Sequence, residues 1–348
     1  MSVPRDRYQR AVALVASAAV HVVAATDKFR GTATAAEVAA AVARAVEAAG
    51  GTCEQIPVAD GGEGTLDALG GANRSTIVMG PLGDPVDAPW RLAKMTAVIE
   101  MARASGLALV GGPEGNDPVA ATTHGTGELI SAALEHGARR ILVGMGGSAT
   151  TDGGLGAIRA IWAANRLRGV ELIAACDVRT HFVDAAAVFA PQKGATPIQV
   201  ELLTRRLERL VQVYVDDYGR DVADLDGSGA AGGLGGGLAA IGAELVPGFE
   251  LIADELELAE RFESADLVVT GEGFLDAQSF EGKVVGGVAD LAKAVGVPVV
   301  AIAGQIYDGA EARINAVSLV SRFGEPRALN DTAACITEAV DAYLRTMA

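Results

Sequence analysis

Val20-His21-Val22-Val23-Ala24-Ala25, running into Thr26-Asp27-Lys28-Phe29-Arg30-Gly31, is the stretch that decides the fold. Its largely unbroken apolar run reads as a buried strand, because a strand covered on both faces need not alternate polar and apolar residues. Thr34-Ala35-Ala36-Glu37 follows as a capping box, and Val38, Val42 and Val46 lie on one face of the helix it opens. Gly50-Gly51 ends that helix, and Thr52 to Ala59 forms the next strand. The product is a β-α-β unit, and in open α/β sheets ligands bind at the carboxyl ends of the strands. There the second strand opens into Asp60-Gly61-Gly62-Glu63-Gly64-Thr65. Glycines so closely spaced let backbone N–H groups approach an anion, and two carboxylates stand among them.

The same grammar returns later. Thr126 to His136 reads as a helix, Arg140 to Val143 as a strand, and Gly144 to Gly154 as a glycine-rich loop; Val170 to Ala175 is a strand that ends near Asp177. Gly227 to Gly237 is expected to be a structured loop feeding a tightly packed helix, since apolar segments flank it. Ala265 to Thr270 is expected as a strand, Gly271 to Asp276 as its loop, Val284 to Val295 as a helix and Val297 to Ala303 as a strand. Pro81, Pro85 and Pro89 argue against a central strand and for a boundary near residue 80. We therefore expect an extension over 1–19, a discontinuous α/β domain over 20–80 and 263–348, and a second α/β domain over 81–262 inserted in it.

A chain of 348 residues with half of them hydrophobic and 4% aromatic suits an α/β enzyme of about two domains. Its net charge of −16 opposes binding to nucleic acid or an anionic membrane, so an anionic substrate must be held by local donors. Cys53, Cys176 and Cys335 show no metal-type spacing and read as reduced thiols of a cytoplasmic protein. His21, His124, His136 and His181 form no zinc pattern. Arg5, Arg7 and Arg10 before the apolar stretch Ala11 to Ala25 imitate an export signal, but that stretch runs straight into the first strand.

Gly-x-x-x-x-Gly-Lys-Ser/Thr is absent, so a P-loop is not indicated. Gly144-x-Gly146-x-x-Ala149 imitates a dinucleotide fingerprint but lacks an acidic residue some twenty positions on, which favours plain phosphate contact through Gly146, Gly147 and Ser148. Asp177 reads either as a general base or Mg²⁺ ligand, or as a loop cap. Lys193 and Lys283, each beside a glycine, read as phosphate contacts or as solvated lysines.

Taken together, these segments resemble the class I glycerate kinases from about Val20 to near the C-terminus. The resemblance rests on Asp27-Lys28-Phe29-Arg30-Gly31-Thr32, Pro57 to Thr65, Ala104-Ser105-Gly106-Leu107 and Thr122 to Leu129. It continues through Gly146 to Gly154, Pro191-Gln192-Lys193-Gly194-Ala195, Gly229 to Gly235 and Thr270-Gly271-Glu272-Gly273. It implies a three-layer, parallel-sheet (Rossmann-like) domain carrying an inserted α/β domain with a mixed sheet, and an active site in the interdomain cleft. The implied reaction is ATP-dependent phosphorylation of D-glycerate with Mg²⁺. Asp177 is expected as the base, with Asp60 and Glu63 as competitors. Substrate contacts are expected from Asp27, Arg30, Gly31, Gly61, Gly62, Lys193, Glu272 and Asp276, and nucleotide contacts from Gly146, Gly147, Ser148 and Lys283. The metal ligands are not assigned, and homo-oligomerisation is left open. Phe274 stands where the family usually has arginine, and Thr180-His181-Phe182 replaces Asn-Pro-Leu. Those departures raise a catalytically weak or substrate-shifted paralogue as the alternative.

Overall fold

A computed structural model describes residues 20–161, 164–307 and 309–347. The expected extension over 1–19 lies outside the described residues. The strands are β1 (His21–Thr26), β2 (Thr52–Pro57), β3 (Arg74–Met79), β4 (Pro85–Ala93), β5 (Thr96–Glu100) and β6 (Arg140–Gly144). They continue with β7 (Glu171–Cys176), β8 (Glu244–Pro247), β9 (Leu267–Leu275), β10 (Val299–Ile306) and β11 (Ala316–Ser318). The described residues divide into two compact units, one made of residues up to Ala59 together with those from Ile252 onward, the other of Asp60–Leu251.

In the first unit five parallel strands run in the order β11-β10-β9-β1-β2. Alternate residues of β10 go to opposite faces: Val300 and Ile302 pack with the helices Ala35–Ala48 and Thr332–Met347, Ala301 and Ala303 with Val285 of the helix Val284–Val295. Helices thus cover both faces, as the buried apolar run of β1 requires. The capping box forms, with Thr34 and Glu37 each bonding the other's backbone N–H; such caps contribute about 1 kcal/mol.

The second unit holds six strands in the order β3-β4-β5-β6-β7-β8, antiparallel from β3 to β5 and parallel from β5 to β8. Ile99, Ile141 and Ala174 line one buried face, Val98, Leu142 and Ile173 the other. The glycine tract becomes the helix Ala230–Ala240, with positive φ at Ala231, Gly232 and Gly233. A Cβ on Gly232 would lie 2.0 Å from Thr150 O, and one on Gly237 2.5 Å from Gly153 O, so this helix needs glycine to press on the 150–154 loop.

Two local expectations change. Pro85 and Pro89 lie inside β4, which is tolerated because residues 85–90 pair with β3 alone and only 91–93 pair with β5. Gly271 to Leu275, expected as a loop, continues β9, because Ala303, Gln305 and Ile306 of β10 supply partners to Glu272, Phe274 and Leu275.

Candidate active site

In the second unit three backbone segments meet at glycines. A Cβ on Gly146 would stand 2.8 Å from Gly62 Cα and 3.1 Å from Glu63 N, and one on Gly248 only 1.9 Å from Asp60 O. The Asp60–Gly64 loop is thereby held against the ends of β6 and β8, and Met145 N donates to Gly61 O at 3.0 Å. Its far side is fixed by Glu100, the buried last residue of β5, whose Oε1 accepts from Gly64 N and Leu66 N at 2.9 and 2.8 Å. Arg103 balances that carboxylate at 2.9 Å. Asp60 is half-buried and its Oδ1 accepts from Gly62 N at 3.1 Å, whereas Glu63 is exposed.

Beside this loop, Gly146, Gly147 and Ser148 begin a segment anchored by Lys193. The lysine is 3% exposed, and Nζ donates to Ser148 Oγ at 2.7 Å and Thr150 O at 2.6 Å. Asn116 Nδ2 ties Ala149 O to Lys193 O, and its own Oδ1 is buried without a partner. Burial lowers the Lys193 ammonium to about 7, against the pull of Asp152.

Asp152 closes the segment. Its Oδ2 accepts from Thr123 N, Thr123 Oγ1 and Gly156 N at 2.8, 2.9 and 3.2 Å, and Oδ1 from Gly154 N at 3.1 Å. A protein carboxylate therefore fills the start of the helix Leu155–Ile161, the place where a dinucleotide fingerprint would hold a pyrophosphate. Asp177 follows β7 and is exposed. Burial first, and Asp177 second, push the neighbouring Cys176 thiol up to about 12, which leaves it unreactive.

In the first unit the candidate residues gather at the carboxyl ends of β1 and β9. Asp27 N donates to Gly271 O at 3.0 Å, and Lys28 lies 4.0 Å from the Asp27 carboxylate. Phe29 to Ala33 forms a tight turn that leaves Arg30 and Gly31 exposed. Glu272 is half-buried, yet its Oε1 is fully enclosed and has no hydrogen-bond partner. Burial raises its carboxyl to about 7, with Asp27 and Asp276 adding to the rise and Ser279 and Lys283 opposing it. Asp276 Oδ1 accepts from Ser279 N at 3.1 Å, and Lys283 stands at the N-terminal boundary of the helix Val284–Val295 without a side-chain capping bond.

Asp60, Glu63, Gly61, Gly62, Gly146, Gly147, Ser148, Lys193 and Asp177 thus belong to the second unit, and Asp27, Arg30, Gly31, Glu272, Asp276 and Lys283 to the first. Sequence reading missed Glu100, Asp152 and Asn116 as site-building residues. An acid closing the apolar run Ala97-Val98-Ile99 was the available signal for Glu100. Among the described residues, no group of three or more His, Cys, Asp or Glu is placed to hold a metal ion. No described helix is long and apolar enough to cross a membrane.

The sequence model of the Glycerate kinase family matches residues 22–165 and 162–348. The chain belongs to the glycerate kinase family. It is 40% identical over 331 residues to the glycerate kinase of Halalkalibacterium halodurans, covering 84% of this chain and 87% of that one. It is also 40% identical over 327 residues to the glycerate 2-kinase of Escherichia coli K12, covering 82% and 86%. A solved structure from Salmonella typhimurium LT2, provisionally described as glycerate kinase 2, superposes with a TM-score of 0.81 at 35% identity, covering 95% of this chain and 98% of that one. The α/β fold is therefore that of a glycerate kinase, and nothing in these relatives favours the weak-paralogue alternative.

Proposed function

We propose that this glycerate kinase family member transfers the γ-phosphoryl group of ATP to the 2-hydroxyl of D-glycerate. The observation that carries the reading is the 40% identity to a glycerate 2-kinase across 82% of the chain. Phosphoryl transfer asks a protein for alignment and charge neutralisation more than for covalent chemistry. Lys193 fits the second need. A buried amine with two neutral oxygen acceptors and, among the described residues, no paired carboxylate gains most from a phosphate oxygen brought against it. The N–H groups of Gly61, Gly146 and Gly147, with the Ser148 hydroxyl, line the same unit for phosphate contact, while the Gly62 N–H holds Asp60 beside them.

In the other unit Arg30, Gly31 and Lys283 present donors for the glycerate carboxylate or the phosphates, and Asp27 and Asp276 present acceptors for glycerate hydroxyls. Magnesium, which needs only one or two protein carboxylates when nucleotide phosphates supply its other ligands, neutralises phosphate charge when bound. Asp60, held through one oxygen only, is the carboxylate suited to it. Asp177 and Glu63, both exposed, are assigned to solvent-side contacts with the substrates. The two-domain organisation, one domain interrupting the other in sequence, belongs to this reading, as does a cytoplasmic location.

Purified protein with Mg-ATP and D-glycerate should release ADP in a coupled assay, and phosphorus NMR of the products should show 2-phosphoglycerate. Release of ADP with 3-phosphoglycerate would correct the regiochemistry; absence of glycerate-dependent ADP would overturn the reading.

A further inference from the structure

Glu272 lies in the central strand of a parallel sheet, at its carboxyl end, with the unpartnered Thr270 hydroxyl on its own side. Strand alternation sends Gly271 and Gly273 to one face, where Cβ atoms would meet Phe29 Cε1 at 3.4 Å and Arg30 N at 3.4 Å. Thr270 and Glu272 therefore share the opposite face, the one covered by the 276–283 segment and the helix it opens. Thr270 Oγ1 and Glu272 Oε1 are both enclosed and both lack a hydrogen-bond partner. An enclosed carboxylate oxygen without a donor is costly and calls for an explanation, and a reaction that uses the group is one that proteins employ.

The charges around it explain how the group is held. A side-chain hydrogen bond from Ser279 and the charge of Lys283 favour the carboxylate, while Asp27 from the end of β1 and Asp276 from the following segment disfavour a second negative charge. The paired stretch of β10, Ala303-Gly304-Gln305, carries no charge. Burial outweighs all of these and leaves the carboxyl near 7, so it takes up or releases a proton at little cost around neutrality. The other carboxylates of the site differ: Glu63 and Asp177 are exposed, and Asp60 is the carboxylate suited to magnesium.

We propose that Glu272 is the catalytic residue that receives the proton of the glycerate hydroxyl as that oxygen attacks the γ-phosphorus. A bond forms between the hydroxyl oxygen and the γ-phosphorus. The bond from the γ-phosphorus to the β,γ-bridging oxygen breaks, its electron pair leaving with ADP. The hydroxyl proton passes to the half-buried Glu272 carboxylate and from there to water. The inference rests on the glycerate kinase reading and adds to it the identity of the proton acceptor.

The test is Glu272→Gln in the full chain, with Glu272→Asp beside it. Glutamine should lower kcat about 100- to 1,000-fold, as for loss of a general base, while both KM values stay within about threefold on the same argument of intact binding. In the wild type kcat/KM should fall as pH drops through about 7, and this limb should vanish in Glu272→Gln, with aspartate restoring part of both. Stability gives an independent readout. Because the folded carboxyl holds its proton up to about 7, against 4.5 unperturbed, the wild type loses stability as pH rises through that window. Glutamine escapes that loss, so its melting temperature should gain on the wild type between pH 5 and pH 8. Wild-type turnover with a Glu272→Gln kcat within fivefold and an unchanged acid limb would overturn the inference alone. A uniform loss of melting temperature at both pH values, with activity lost in proportion, would mark Glu272 as structural and overturn it too. A wild type inactive with glycerate would overturn the kinase reading itself.

Discussion

Lys193 donates to Ser148 Oγ at 2.7 Å and to Thr150 O at 2.6 Å with 3% of its surface exposed, so both acceptors are met by the two N–H bonds of a neutral amine. The third N–H of the ammonium form has no acceptor among the described residues, which agrees with burial lowering this group to about 7. A phosphate oxygen brought to Nζ supplies that acceptor and raises the affinity for a proton. At pH 8 the free lysine is mostly neutral, so nucleotide binding should take up a proton. Calorimetric titration of Mg-ATP in buffers of different ionisation enthalpy should give a slope near one proton in the wild type and near zero in Lys193→Met. Equal slopes would remove Lys193 from phosphate contact.

Asp152 is predicted to be a structural carboxylate. It collects N–H and O–H donors from Thr122, Thr123, Gly154 and Gly156 and so joins the starts of two helices. Asp152→Asn replaces one acceptor oxygen by an NH₂ group facing donors, and should cost about 2–4 kcal/mol, since bonds to charged groups contribute about 1.5–3 kcal/mol each. Urea denaturation measures this; a loss under about 0.5 kcal/mol, the range of an ordinary surface change, would contradict it.

What was legible in the sequence was local. Thr34 and Glu37 stand three residues apart, and the capping box they form needs nothing else. The apolar runs of β1, β6 and β7 announced buried strands for the same reason. What escaped depended on distant partners. Gly271-Glu272-Gly273 carries the composition of a loop and becomes strand only because β10 pairs with it. Glu100 builds the Asp60–Gly64 loop from 36 residues away, and Asp152 reaches Thr123 across 29. Neither separation leaves a periodic trace. Asp177 reads as a base because an acid after an apolar strand often serves chemistry, whereas its exposure is set by tertiary packing that the sequence does not display.

Gly248 should be intolerant of the smallest substitution. A Cβ there falls 1.9 Å from Asp60 O and 2.8 Å from Gly61 Cα, both rigid backbone atoms. Gly248→Ala must displace the Asp60–Gly64 loop, at a cost of about 1–3 kcal/mol typical of overpacking. If that loop contacts substrate, kcat/KM should fall at least tenfold at temperatures where the variant remains folded. Full activity in a folded Gly248→Ala would detach the loop from catalysis.

Phe274 offers a test of substrate recognition. It is 56% exposed at the end of β9 and stacks loosely on Tyr307 of the neighbouring chain segment, with ring centroids 6.1 Å apart. The resemblance to class I glycerate kinases places arginine here, two residues beyond Glu272. An added guanidinium that reaches the glycerate carboxylate is worth about 1.5 kcal/mol or more, roughly tenfold in affinity. Phe274→Arg should therefore lower KM for D-glycerate about tenfold and leave KM for ATP within about twofold by the same arithmetic. Its effect on stability should be small, because an exposed side chain with one loose aromatic contact contributes little. Steady-state kinetics with each substrate varied in turn decides the matter. A KM for glycerate that does not move would show that this strand end lies outside carboxylate recognition, and that Phe274 substitutes for arginine without altering what the enzyme binds.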